Sequence, residues 1–174
     1  MQIIMKKIIY LSLPLIMAVV LNSCLTSESD IQETPLLSVT AIRNSTDTLK
    51  IYTTTETNTF RLDTVAVGDS ILFFTVMYSG RQNRLTEFKF DFDAEIAEIH
   101  LKNTEKLDSI FSPKSDYEKG LFVVNVEANY IWLPVIYIPK TPSSNTTVSF
   151  TVKSNSKYSP TTVKLKTPIK AKSK

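Results

Sequence analysis

Four places in the sequence carry side chains that could do chemistry. Gly68-Asp69-Ser70-Ile71 sets a serine hydroxyl just after a turn-forming pair, where a nucleophile could sit, and His100 is the only histidine that could serve it as a base. Asp91, Asp93 and Glu95 alternate, so three carboxylates ~7 Å apart could share a strand face, with Glu98 close behind. Such a row could hold calcium or supply an acid–base pair. Cys24, the only cysteine, ends the segment Leu21-Asn22-Ser23-Cys24 directly after an apolar run. Tyr117, Tyr130, Trp132, Tyr137 and Tyr158 could present flat faces to a sugar or to a protein.

Most of these candidates weaken when their partners are sought. Gly68-Asp69-Ser70 resembles the opening motif of the GDS esterases, but the later glycine and asparagine blocks of that family are missing. His100 stands in an expected strand or bend, not in a C-terminal Asp-x-x-His. The tripeptide reads better as a turn feeding a strand. Calcium takes about six to eight oxygens, which a loop supplies more easily than a flat strand, and the glycine of an EF-hand loop is absent. A glycosidase acid needs a raised pKa in a cleft, and nothing in this acidic stretch points to burial. A solvated face beside Lys89 or Lys102 is the plainer account. One histidine with no free cysteine cannot build a zinc site, and no glycine-rich phosphate loop is present. The expectation is a chain with no catalytic residue, no metal and no cofactor.

The first 23 residues have the three parts of a secretory signal. Lys6 and Lys7 give the positive end, and Ile8 to Leu21 is apolar apart from Ser12 and Pro14. That run suits a signal core and is short for a membrane span of ~20 residues, which Pro14 would also kink. Leu21, Ser23 and Cys24 resemble the cleavage site of bacterial lipoproteins, with Asn22 departing from the commonest choice. The resemblance implies cleavage between Ser23 and Cys24 and lipidation of Cys24 through its thiol and amine. An ordinary signal peptide with a stray cysteine, or an uncleaved anchor, is the competing reading. Residues 24–35 hold Ser27, Glu28, Ser29, Asp30 and Glu33 and read as an acidic tether. Ser27-Glu28-Ser29-Asp30 resembles, in diluted form, the surface-export signal of Bacteroidetes-type lipoproteins. That implies an outer-membrane address, on the cell surface or facing the periplasm.

The chain has 20 Lys+Arg against 17 Asp+Glu. Losing Lys6 and Lys7 with the signal leaves a mature net charge of about +1, so the basic precursor is no argument for nucleic-acid binding. Lys164, Lys166, Lys170, Lys172 and Lys174 collect at the end, as a solvated strand face and a basic tail over 169–174. With one cysteine no internal disulfide can form, so stability must come from a core that a chain of this length can bury.

Residues 36–168 read as one all-β domain. Leu37, Val39 and Ala41 alternate with polar neighbours, and Leu49–Thr53 and Thr59–Val65 are weaker strands. Ser70–Ser79 is apolar on both faces, with Leu72, Phe74, Val76 and Tyr78 opposite Ile71, Phe73 and Met77. Phe88, Phe90 and Phe92 make a half-buried strand, after which Ile96, Ile99 and Leu101 break step near Ala97. Phe122–Val126, Trp132–Ile138, Val148–Val152 and Val163–Leu165 complete the set, with Pro134 and Pro139 marking an edge or an end. No window shows helical periodicity. About seven to nine strands at this spacing favour an antiparallel sandwich. The pattern resembles immunoglobulin-like or fibronectin-III-like domains; a calycin-like barrel is the alternative.

With that fold, a lone tryptophan is either core or a presented surface, so Tyr130 and Trp132, which share a face at i, i+2, are the candidate ligand contacts. Asp47-Thr48-Leu49, Asp63-Thr64-Val65 and Asp108-Ser109-Ile110 are similar to the O-glycosylation acceptor of Bacteroidetes-type exported proteins, which implies Thr48, Thr64 and Ser109 as sites; Asp69-Ser70-Ile71 also matches but opens a core strand. The whole resembles a small Bacteroidetes-type lipoprotein. The likeness implies a membrane-held, non-enzymatic binding or accessory domain, with a glycan-binding surface protein and an assembly subunit docking by an edge strand as alternatives.

Overall fold

The computed structural model describes residues 34–102 and 104–172. Ser23, Cys24 and the acidic stretch up to Glu33 lie outside the described residues, as does Lys174. In chain order the elements are β1 (Leu36–Arg43), β2 (Asp47–Thr48), β3 (Ile51–Thr53), β4 (Thr59–Leu62), β5 (Val65–Ala66), β6 (Ile71–Tyr78) and β7 (Leu85–Asp91). Then follow β8 (Ala97–Leu101), α1 (Thr104–Asp108), β9 (Leu121–Val123), β10 (Tyr130–Pro139), β11 (Thr147–Ser154), β12 (Thr161–Lys166) and β13 (Ile169–Lys170).

The first sheet has the order β2-β1-β6-β10-β8 and the second β3-β4-β12-β11-β7-β9, with β13-β5 as a two-stranded annex. Lettering β1, β6, β7, β8, β10, β11 and β12 as A to G gives A-B-E-D in one sheet and C-F-G in the other, the strand order of a constant-type immunoglobulin sandwich. The described strands close no barrel, which removes the calycin alternative. Pairing is antiparallel except for β12 with β4 and β13 with β5. The expected tail therefore opens inside the domain: Ile169 is buried and pairs with Val65. At the other end Pro35 is buried, and its carbonyl accepts a hydrogen bond from Thr161 Oγ1, so the domain begins within the stretch read as tether.

The two-residue period decides the layers. Along β6 each odd-numbered residue from Ile71 to Met77 is buried and each even one is half-buried. The inward rings meet those of the second sheet: Phe73 lies 5.8 Å from Phe90 and 5.2 Å from Phe150, and Phe90 lies 4.8 Å from Phe150. Tyr137 of β10 closes the cluster 5.8 Å from Phe73. This aromatic layer holds the sheets together without a covalent link.

Two local expectations change. Pro134 does not sit on an edge strand, since β10 runs between β6 and β8; but β8 pairs only from Pro139 to Val135, so Pro134 lies just past its end, where a missing N–H is tolerated. α1, a single turn, was not legible as a period because five residues are too few to show one.

Candidate functional site

The turn before β6 is fixed by its own polar groups. Gly68 has φ 83°, Asp69 Oδ2 accepts a bond of 2.9 Å from the Ala66 amide, and the Ser70 amide donates to Asn44 Oδ1 at 3.0 Å. Asp69 is thus a turn-former. His100 lies on β8 with Nε2 3.0 Å from Glu98 Oε1, both exposed. It lines an open hollow of about 460 Å³ along β8 with Glu98, Tyr117 and Lys140, and among the described residues no serine, threonine or cysteine lines that hollow.

The acidic row does not share a face. β7 ends at Asp91, which pairs with Lys89 at 2.5 Å. Asp93 turns the chain instead: its carboxylate accepts from the Glu95 amide at 2.9 Å, and its carbonyl accepts from Ile96 and Ala97. Among the described residues no three His, Cys, Asp or Glu side chains gather as a metal-binding group.

Two phenols are held neutral. Tyr117 donates to Asp108 Oδ1 at 2.9 Å, and burial first, then that carboxylate, pushes its pKa up to about 12. Burial, with a lesser push from Asp93, raises Tyr137 to about 12 as well, and its hydroxyl is buried with no hydrogen-bond partner among the described residues. A raised phenol pKa favours the protonated form in the folded state. Its contribution to stability is therefore complete below the unfolded value of ~10 and is lost as pH climbs from there toward 12. Tyrosinate absorbance during an alkaline titration should show an early group and a late one that ionises with unfolding; a single step near pH ~10 for all tyrosines, fold intact, would contradict this.

The three acceptor candidates, Thr48, Thr64 and Ser109, are all exposed. Each neighbouring aspartate is tied down: Asp47 to Arg43, Asp63 to the Lys50 amide and the Tyr52 hydroxyl, Asp108 to Tyr117. Ser70, by contrast, is only half-exposed beside fully buried Ile71.

Tyr130 and Trp132 stand out differently. Both point away from the core, 53% and 56% exposed, while Ile131, Leu133, Val135 and Tyr137 of the same strand are buried. The alternation that buries one set must present the other. The outer face of the first sheet then reads as cross-strand rows: Leu36, Tyr78 and Tyr130; Ser38, Val76 and Trp132; Thr40, Phe74 and Pro134. Trp132 stacks on its diagonal neighbour Phe74 at 5.4 Å and 24°, so the indole is braced by the phenyl ring while more than half of the residue stays exposed. An apolar stripe thus runs down β6 and β10.

Beside the β10 part of the stripe lies a groove of about 560 Å³, lined by Leu107 and Ile110 with α1, by Tyr130, Trp132 and Pro134, and by Val126 and Ala128. Among the described residues only Lys102 and Lys106 bring charge to it. Sequence reasoning singled out Tyr130 and Trp132 but missed the rest of the lining; Leu107 and Ile110, three apart in a polar stretch, were its one signal.

A scan against protein-family models finds no match, and neither does a search of curated protein sequences. What this chain presents must therefore be judged from its own surface. A large apolar patch rimmed by polar residues marks an interaction surface. Among the described residues no helix is long and apolar enough to cross a membrane.

Proposed function

We propose that this chain is a lipid-anchored, non-enzymatic binding or accessory domain of the bacterial outer membrane, working at the cell surface. The observation that supports it most is Trp132: a tryptophan left in solvent on a sandwich with ample core, braced by Phe74 and bordered by an apolar groove. Keeping such a residue exposed costs burial free energy of ~2–3 kcal/mol, which a contact outside the chain can recover. The anchor rests on the residues from Lys6 to Cys24. Cleavage before Cys24 would make it the first mature residue, and its acyl chains would hold the domain at the bilayer. Intact-mass measurement of the membrane-extracted protein should find a diacylglyceryl group on Cys24, and Cys24→Ser should move the protein out of the membrane fraction. An unmodified Cys24 would remove the anchor from this reading.

Glycan binding is the second reading, favoured by the exposed pair Tyr130 and Trp132. Against it, the groove has few of the directed polar groups that fix sugar hydroxyls. A tryptophan-fluorescence titration against a glycan panel decides, since Trp132 is the only tryptophan; no change with any glycan removes it. Docking by an edge strand has less support. The outermost strands β2, β3 and β9 have two or three residues, and the longer β8 carries exposed Glu98 and His100, the short or charged edges that discourage pairing.

A further inference from the structure

We infer that the end of the sandwich where the N-terminal segment joins is a membrane-interface surface, occupied by phospholipid. The inference rests on the proposed anchor for its geometry, and goes beyond it by assigning a second, protein-borne contact.

Among the described residues six large apolar side chains are exposed, and five of them, Leu36, Val126, Tyr130, Trp132 and Tyr158, belong to this end. Its loops are tied to one another. The Leu85 amide donates to Ala128 O at 2.7 Å and the Asn155 amide to Arg84 O at 3.0 Å, while Thr161 Oγ1 donates to Pro35 O. These bonds join the β6–β7, β9–β10 and β11–β12 loops to the start of β1. A monomer that needed no partner would scatter such residues rather than cluster them.

The chemistry of the cluster is that of a bilayer interface. Trp and Tyr have amphipathic rings that settle at headgroup level, and a leucine can enter the acyl boundary beside them. Basic side chains accompany them: Arg81, Arg84 and Lys157 in the loops, Lys102 and Lys106 at the groove. Glu127, paired with Arg84 at 2.9 Å, and Glu105 and Asp108 of α1 are acids nearby, and Glu28, Asp30 and Glu33 precede β1 in the sequence. Charge is therefore balanced at this end, and the aromatic and leucine side chains carry the contact.

Chain length bears on the occupant. Cys24 is 12 residues before Leu36, so even a fully extended segment spans no more than ~40 Å. Leu36 opens β1 on the outer face, in one row with Tyr78 and Tyr130. A lipid on Cys24 would therefore keep this end closer to the bilayer than the far one, at higher effective concentration.

The sole tryptophan makes the test direct. The purified membrane-extracted protein is reconstituted into phosphatidylethanolamine–phosphatidylglycerol vesicles, and Trp132 emission is read with and without brominated acyl chains. The expected result is a blue-shifted maximum, quenching by brominated lipid and shielding from aqueous iodide. The double variant Leu36→Ser, Tyr130→Ser, both positions exposed, should keep its fold and lose most of the brominated-lipid quenching. A protein that carries its lipid by mass and stays with the vesicles, yet keeps a water-like, iodide-quenched Trp132, would overturn the inference and leave the anchor standing. If mass shows no lipid, quenching by anionic vesicles alone would still support the interface, and its absence would sink it.

Discussion

Phe150→Ala should lower the stability of the domain by about 3–5 kcal/mol, the range for removing a buried phenylalanine ring. Phe150 is fully buried in β11, with Phe73 at 5.2 Å, Phe90 at 4.8 Å and Phe88 at 6.5 Å around it. Its neighbours come from both sheets, so no rotation of one side chain can fill the space left behind. With no disulfide available from one cysteine, nothing covalent compensates. A domain whose whole stability is of the order of 5–15 kcal/mol would lose a large share, and its midpoint should fall by roughly 10 °C. Thermal and urea unfolding followed by circular dichroism measure this; a loss under ~1 kcal/mol would mean that the two sheets do not meet as described.

Gly120→Ala should be damaging for a different reason, and Gly68→Ala supplies its control. Both glycines hold positive φ, 69° and 83°, and both alanines are strained there. They differ in space. A Cβ on Gly120 would stand 2.1 Å from the backbone oxygen of Phe90, while one on Gly68 meets only the end of Lys172 at 3.9 Å. Gly120 approaches that closely because its carbonyl accepts the Phe90 amide at 2.8 Å, joining the turn before β9 to β7. Backbone cannot swing aside as a side chain can, so β9 must detach or the turn must rebuild. The expected cost is about 1 kcal/mol for Gly68→Ala and about 3 kcal/mol or more for Gly120→Ala. Equal losses would show that φ alone matters at both sites.

The long strands were legible because their burial repeats every second residue: Ile71, Phe73 and Met77 inward, Phe88 and Phe90 inward, Val148, Phe150 and Val152 inward. The two-residue strands β2, β5 and β13 were not, since two residues contain no period. Nor was the strand order, because β4 with β12 and β5 with β13 are set by tertiary closure, not by local pattern. The candidate site shows the same divide. That Tyr130 and Trp132 share a face follows from spacing. Which face is outside does not, because β10 is apolar on both sides and only its register against β6 and β8 decides. The acidic row misled for a related reason: spacing of two implies one face only while the strand lasts, and β7 stops at Asp91.

The two parallel pairings bear on how the chain reaches this state. β12 and β13 complete sheets begun by β4 and β5, and Thr161 bonds to Pro35, 126 residues earlier. Such distant pairings make loop-closure entropy the main barrier, so the domain should fold slowly, in milliseconds to seconds, and cooperatively at its end. A nascent chain stalled before residue 161 would hold every ring of the aromatic layer but lack β12, the strand that joins β3 and β4 to β11. Timing is thus written into the strand order: the molecule has no native shape to lose until almost all of it has emerged.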